Sequence, residues 1–317
     1  MVRALLAVLG VMKPVIWAAS CCGGGSASSL TLSKFNHQMV DMSLALEQYD
    51  GYWDQQGNVK KDPPGSDLQQ VRLNLGYAQR LASRWQSHVI LPVVWNDNSY
   101  GSLQSKSQGL GDVQLGLLYE SFDGIKCVYR VNEWKDLVPS TYWGLSLTVP
   151  TGISPYDDEK NSFDITGRGF YRLDGSLLLE KTIYPWTARV SSLFGYHFER
   201  PIQEEYGQAV APYDRQLGHR WSGGIGGGYS KALPSLWTLT GTLDLQQIRE
   251  GDEKINGQSS ENSGSEKTSL ALGLSTTDVL KKWIVKTSWN HALSNSHWGR
   301  NFPITDTYIV GCSYVFR

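Results

Sequence analysis

The sequence predicts an all-β protein, a transmembrane antiparallel up-and-down β-barrel of about twelve strands. Apolar and polar residues alternate in about twelve segments, each close to the roughly 9–11 residues that a tilted strand needs to cross a bilayer. The connections between these segments alternate between long and short, as in barrels that span bacterial outer membranes. A soluble sandwich or propeller also needs apolar faces but gives no reason for that alternation.

The C-terminal stretch 305–317 illustrates the alternation. Successive side chains of a strand point to opposite faces, so one face of this strand is apolar and ends in aromatic residues. That face carries Tyr308, Val310, Cys312, Tyr314 and Phe316. A chain that ends in a strand leaves an edge to be paired, so we expect this strand to pair with the first and close the barrel. The ending resembles the C-terminal strand of outer-membrane barrels.

The remaining strands follow from the same alternation. The predicted strands are 40–52, 68–80, 85–95, 112–121, 141–150, 169–181, 186–199, 218–231, 236–249, 267–276, 283–293 and 305–317. Long polar connections (53–67, 96–111, 151–168, 200–217, 250–266, 294–304) alternate with short ones (81–84, 182–185, 232–235, 277–282). The segment 122–140 is long on the short-turn side, and is either an extension or a misread pair of strand ends. An even strand count leaves both termini in the periplasm.

Composition excludes two other classes of protein. The 317 residues carry a formal net charge of −1, which leaves no basic surface for nucleic acid. Past the N-terminus, no apolar run approaches the roughly 20 residues of a membrane-spanning helix. A β-barrel is compatible with this composition, because only alternate residues of each strand meet lipid.

The N-terminus predicts export. Arg3 precedes an apolar run, and Ala18-Ala19-Ser20 is a small-residue cleavage site, so residues 1–20 are interpreted as a signal peptide. Residues 21–38 form a Cys-, Gly- and Ser-rich periplasmic segment, and residues 39–317 form the barrel. Cys21 follows a degenerate lipobox, and lipidated and unmodified forms both stay open. The vicinal Cys21-Cys22 pair lacks zinc-site spacing and no haem-attachment motif occurs, so we expect no metal and no cofactor.

The cysteines also suggest a disulfide. Cys21, Cys22 and Cys127 fall on the periplasmic side, where disulfides persist, whereas Cys312 faces lipid. If Cys21 carries lipid, Cys22 and Cys127 are the two thiols left on that side. A Cys22–Cys127 bond is therefore a candidate, and free thiols on a flexible tail are the alternative.

Charged residues on the polar strand faces are the candidate pore lining. They are Arg72, Asp112, Glu120, Arg172, Asp174, Glu180, Arg189, Glu199, Asp244 and Lys286. Buried charges must be paired or hydrated. Since both signs occur, the lumen is either a hydrated, weakly selective channel or is closed by salt bridges across its interior.

Two glycine-rich stretches carry a family resemblance. Residues 109–116 (GLGDVQLG) and 147–152 (LTVPTG) resemble the GLGD and LPTG stretches of barrels grouped as "MetA-pathway of phenol degradation". That resemblance implies an outer-membrane transporter and supplies no functional residues.

Three functions remain open from sequence. The first is a passive outer-membrane channel for small solutes in a Gram-negative cell, surrounded by lipid and without a nucleic-acid partner. The second is a non-transporting accessory or anchor barrel for a periplasmic protein. The third is a lipid-modifying hydrolase. Outer-membrane barrel enzymes of this class resemble one another in a His-x-Ser pair, whose spacing places base and nucleophile on one strand face. None of the six histidines has a serine two residues away, so we expect no enzyme.

Overall fold

The computed structural model describes residues 30–32, 36–121, 127–157, 162, 164–235 and 237–316. These residues form a closed barrel of antiparallel strands, which confirms the predicted fold class. The twelve wall strands are numbered here in chain order. They are β1 (Gln38–Trp53), β2 (Asp67–Ala82), β3 (Trp85–Tyr100), β4 (Val113–Glu120), β5 (Ser140–Val149), β6 (Arg172–Ile183), β7 (Trp186–His197), β8 (Arg220–Ala232), β9 (Thr238–Glu250), β10 (Ser265–Thr277), β11 (Trp283–Ala292) and β12 (Phe302–Phe316).

The first and last strands close the wall. They pair antiparallel from Gln38 opposite Phe316 to Trp53 opposite Phe302, as the sequence predicted. Every other wall strand pairs with its neighbours in chain order. A closed sheet leaves no exposed strand edge, which removes the usual site of unwanted strand pairing.

The two ends of the barrel differ. At the turn end, the short connections 83–84, 184–185, 233–237 and 278–282 join the strands. At the loop end, long connections carry additional strands. Val59–Lys60 pairs with β1, Leu103–Leu110 with β3 and Gly299–Arg300 with β10, while Arg200–Glu205, Gln208–Gln216, Lys254–Ile255 and Gln258–Ser259 form a separate sheet.

One long connection lies at the turn end, between β4 and β5. Within it, Cys127–Val128 pairs parallel to the end of β6, and Trp134–Leu137 forms a short 3-10 helix. This segment is therefore an extension of the turn end, and not a misread pair of strand ends.

Strand β12 displays the alternation of the wall. Its inward positions, Gly311, Ser313 and Val315, are buried, whereas Tyr308 and Val310 on the outer face are 46% and 60% exposed. Cys312 lies on the outer face as well, in register with Met42 and Val285. Small residues thus face the lumen, and large apolar ones cover the exterior.

Several predictions concern residues outside this description. The signal peptide at 1–20, lipidation of Cys21 and the Cys22 end of the candidate disulfide all lie outside the described residues. No helix in the described part of the chain is long and apolar enough to cross a membrane.

Candidate functional site: the barrel lumen

The inner face of the wall is lined by small and polar side chains. Residues opposite each other on neighbouring strands share a face, so the register identifies whole rows. One row crosses seven strands, from β2 through β1 and β12 to β8. It consists of Asn74, Ser43, Gly311, Lys286, Ser275, Thr240 and Ser230. A polar interior inside an apolar exterior is typical of membrane barrels with a hydrated lumen.

An ion pair between Arg189 and Asp244 lies along this wall. Both residues are in direct register with Gly226, which sits on the strand between them. A Cβ at Gly226 would overlap the Asp244 carboxylate. The glycine therefore leaves the space in which the two charged side chains meet against the wall.

Lys286 and Asp41 form a second pair of this kind. The Lys286 ammonium lies 2.7 Å from Asp41 Oδ1, and its Cε lies 2.8 Å from the position of a Cβ on Gly311. Ser313 also donates to the same Asp41 oxygen. Like the Arg189–Asp244 pair, this pair joins strands close together in the wall, and neither pair bridges the interior.

A local pattern recurs three times around the wall, once in every four strands. A Trp opens a strand and is followed three positions later by a basic residue. The next strand carries a Gly and, three positions later, a Tyr. The sets are Trp85, His88, Gly116 and Tyr119; Trp186, Arg189, Gly226 and Tyr229; and Trp283, Lys286, Gly311 and Tyr314.

The register of the three sets is identical. Each Trp lies directly opposite the Tyr, and each basic residue directly opposite the Gly. The Trp and Tyr rings contact each other on the outer face, with centroids 4.8 to 4.9 Å apart, as expected of an interfacial girdle. The basic residues face inward and form one belt near the turn end.

His88 is the exceptional member of that belt. Its imidazole covers Gly116, and its Nδ1 is buried with no hydrogen-bond partner among the described residues. On the strand beyond Gly116, the residue in register is Ser146. In the Arg189 set, the corresponding residue beyond Gly226 is Asp244. Two of the three basic positions are thus paired with carboxylates and the third is not.

The N-terminal segment enters the lumen at the turn end. Leu30 and Leu32 are 5% and 1% exposed, and they pack with Ala78 and Val315 on the inner face. Gln86 holds the backbone of Leu32 from both sides, since its Oε1 accepts from the Leu32 N–H (2.8 Å) and its Nε2 donates to the Leu32 carbonyl (3.1 Å). The segment therefore narrows this end of the lumen.

The connection between β5 and β6 enters the lumen at the loop end. Asn96 and Ser107, on the inner face, donate to the carbonyls of Ile165 and Asp164 at 3.2 and 2.8 Å. The Thr166 hydroxyl donates to the Leu110 carbonyl at 2.6 Å. These bonds hold the connection against β3 and the strand Leu103–Leu110.

Asp112 fixes the two ends of this connection. Its carboxylate accepts from the backbone N–H groups of Gly152 (3.1 Å) and Arg168 (2.8 Å). The neighbouring Thr151 hydroxyl donates to the Gly111 carbonyl at 2.7 Å. The two glycine-rich stretches that carry the family resemblance therefore contact each other here.

Arg168 then reaches across the mouth of the barrel. Both of its terminal nitrogens donate to Glu250 at 2.6 Å, and Glu250 ends β9, which lies diametrically opposite β3 in the ring of twelve. Burial lowers the pKa of Arg168, because it disfavours the charged guanidinium. The hydrogen bonds to Glu250 and the charge of Glu250 outweigh burial, so the pKa of Arg168 lies above its ordinary value. The connection thus spans and narrows the loop end.

The structure places most of the predicted pore-lining residues on the inner face. These are Arg72, Glu120, Arg172, Asp174, Glu180, Arg189, Asp244 and Lys286. Asp112 and Glu199 differ from the prediction, because both lie outside the strands. Asp112 occupies the break between Leu103–Leu110 and β4, and Glu199 is exposed in the link that follows β7.

Other lumen residues were not predicted from the sequence. They are Gln86, His88, Arg168, Arg220, Glu250 and Lys267. Lys267 and Arg220 share the inward parity of Ser269 and Ser222, so strict alternation could have identified them. The recurrent Trp-x-x-basic spacing could have identified His88. Within the described residues, no group of three or more His, Cys, Asp or Glu side chains could hold a metal ion.

A closed wall with an apolar exterior and a polar lumen defines a transmembrane β-barrel. No family model and no curated protein matches the chain. Among solved structures, the COG4313 outer membrane channel from Pseudomonas putida F1 matches with a TM-score of 0.69 at 15% identity, over 92% of this chain and 100% of that one. The β domain of the Bordetella autotransporter BrkA matches with a TM-score of 0.51 at 15% identity, over 89% and 100%. At these identities the likeness establishes the fold alone, that of bacterial outer-membrane β-barrels.

Proposed function

We propose that the protein is an outer-membrane channel that conducts small hydrophilic solutes passively. The inner wall carries this proposal, because its small polar residues and wall-parallel ion pairs hold the charged side chains against the strands between the two narrowed ends. Lys286 and Asp41, for example, neutralise each other within the wall. The Arg168–Glu250 pair crosses the lumen at the loop end, whereas between the two ends such a lumen suits hydrated solutes.

The proposal includes the orientation in the membrane. Outer-membrane barrels have short periplasmic turns and long external loops, so the turn end and both termini would lie in the periplasm. The resemblance of residues 109–116 and 147–152 to phenol-degradation MetA barrels stays a prediction of transporter function. It is compatible with the contact between Thr151 and Gly111.

Two alternatives make different predictions. An accessory barrel would be obstructed by the N-terminal segment and by the connection between β5 and β6, and would require a partner protein. A hydrolase would need a base and a nucleophile on one face. Ser87 and His88 are adjacent in β3, so their side chains point to opposite faces. We therefore propose a function that is not enzymatic.

Single-channel recording tests the proposal. Purified full-length protein in planar bilayers should produce discrete conductance steps, and proteoliposomes containing it should swell in small sugars. Silent bilayers together with co-purification of a stoichiometric periplasmic protein would favour the accessory barrel and overturn the channel.

A further inference from the structure

Five charged residues, three basic and two acidic, lie together at the loop end. Asp174, Gly195, Arg220 and Glu250 follow one another in direct register across β6 to β9, all facing the lumen. Arg172 joins the row beside Asp174 on β6. We call Arg168, Arg172, Asp174, Arg220 and Glu250 the mouth cluster.

Each carboxylate of the mouth cluster is already occupied by one arginine. Asp174 accepts from Arg172 Nε at 2.7 Å and Nη2 at 2.9 Å. Both oxygens of Glu250 accept from Arg168. Such bidentate pairs use the fork of the guanidinium fully and are among the stronger hydrogen-bonded contacts in proteins.

Arg220 lies between these two ion pairs and belongs to neither. It is partly exposed, and within the described part of the chain no hydrogen bond or ion pair reaches its side chain. Its charge is repelled by Arg172 and Arg168 and attracted by Glu250 and Asp174. Three guanidinium groups and two carboxylates leave one positive charge in the cluster.

Lys267, on β10, reinforces the positive character of this level. Its ammonium donates to the Thr305 hydroxyl at 2.6 Å and lies 5.2 Å from the Phe302 ring centroid. Glu47 attracts it and Arg220 repels it. Since no carboxylate of the described residues lies within ion-pair distance of Lys267, it adds a second positive charge to that of Arg220.

The position of the mouth cluster gives the surplus charge a consequence. Arg168 crosses the mouth to reach Glu250, so a solute that enters at the loop end passes close to Arg220. A planar guanidinium matches a carboxylate in shape as well as in charge. At about 0.1 M salt the screening length is about 10 Å, so the charge acts on solutes that pass within about that distance of Arg220.

We propose that the mouth cluster is a binding site for small organic carboxylates, that Arg220 is its primary contact, and that it makes the lumen anion-selective. This inference rests on the proposed channel function and adds the solute class. Arg168 and Arg172, already paired, set the geometry of the site, and the free guanidinium of Arg220 receives the carboxylate.

Reversal potentials in a KCl gradient test the selectivity. The wild-type channel should prefer chloride, and Arg220→Gln should lower the anion-to-cation permeability ratio about fivefold, the effect of one unit charge at contact distance in water. Arg249→Gln is the matched control, because Arg249 lies one residue from Glu250 but is exposed on the outer face. A cation-preferring wild type, or equal effects of the two substitutions, would overturn the inference while leaving the channel function intact.

Succinate binding tests the site independently of conduction. Saturation-transfer NMR on detergent-solubilised protein should detect succinate with the wild type and Arg249→Gln, and lose the signal with Arg220→Gln. Binding in a barrel that does not conduct would support the site and reject the channel. A succinate signal that is absent from the wild type, or unchanged in Arg220→Gln, would reject the site.

Discussion

Arg189 and Asp244 lie two strands apart and still form an ion pair, because the residue between them in register is Gly226. Neighbouring strands are about 4.8 Å apart, so the two side chains must lie flat to meet. Any side chain on the intervening strand would occupy that space. Glycine on the inner face is therefore what allows this wall to carry charge without filling the lumen.

A methyl group at Gly226 should destabilise the barrel. Gly226→Ala places a Cβ where the Asp244 carboxylate lies, and such overpacking typically costs about 1–3 kcal/mol. Gly241→Ala is the control, since a Cβ on Gly241 in β9 meets no atom within 4 Å. Urea unfolding of both variants in lipid vesicles measures the difference. If the two variants unfold at the same urea concentration, Gly226 does not make room for the ion pair.

The assigned faces of β9 predict opposite responses at adjacent positions. Leu243 is 51% exposed on the outer face, and Thr242 faces the lumen beside Gly273. Arginine on a lipid-facing site near the bilayer midplane costs about 2–4 kcal/mol, so Leu243→Arg should lose about that much stability. Thr242→Arg should be tolerated in a hydrated lumen. Equal losses in the same unfolding assay would contradict the register.

The fold was predictable because alternation is a local property of sequence. In β12 the residues Tyr308, Val310 and Phe316 identify the outer face without any knowledge of the partner strand. The alternating connection lengths then order the strands, and an unpaired terminal strand requires closure. None of these steps depends on where a particular side chain meets another.

The mouth cluster was not predictable in the same way. Arg168 belongs to a long connection whose path across the barrel is set by residues distant in sequence, since Asn96 donates to the Ile165 carbonyl and Asp112 accepts from the Arg168 N–H. Arg220 is unpaired among the described residues because Arg168, and not Arg220, donates to the Glu250 carboxylate. Sequence identifies charged inward residues, but which charge remains unpaired is decided by tertiary contacts.

Release of the N-terminal segment should widen the turn end. Gln86→Ala removes both hydrogen bonds to the backbone of Leu32, each contributing about 0.5–1.5 kcal/mol. The open-channel current should become larger or fluctuate more than in the wild type. Ser87→Ala is the control on the outer face of the same strand, and deletion of residues 21–36 should reproduce the full effect. An unchanged current in the deletion variant would exclude the segment as an obstruction.

The two ends of the barrel should be accessible from opposite sides of the membrane. The connection between β9 and β10 lies at the loop end, and the segment with the 3-10 helix Trp134–Leu137 lies at the turn end. Long connections of outer-membrane barrels face outward and short turns face the periplasm. An epitope near Ser260 should therefore bind antibody on intact cells, whereas one at the exposed Lys135 should bind only after the outer membrane is permeabilised. Labelling of Lys135 on intact cells, with Ser260 protected, would establish the inverted topology and place the mouth cluster in the periplasm.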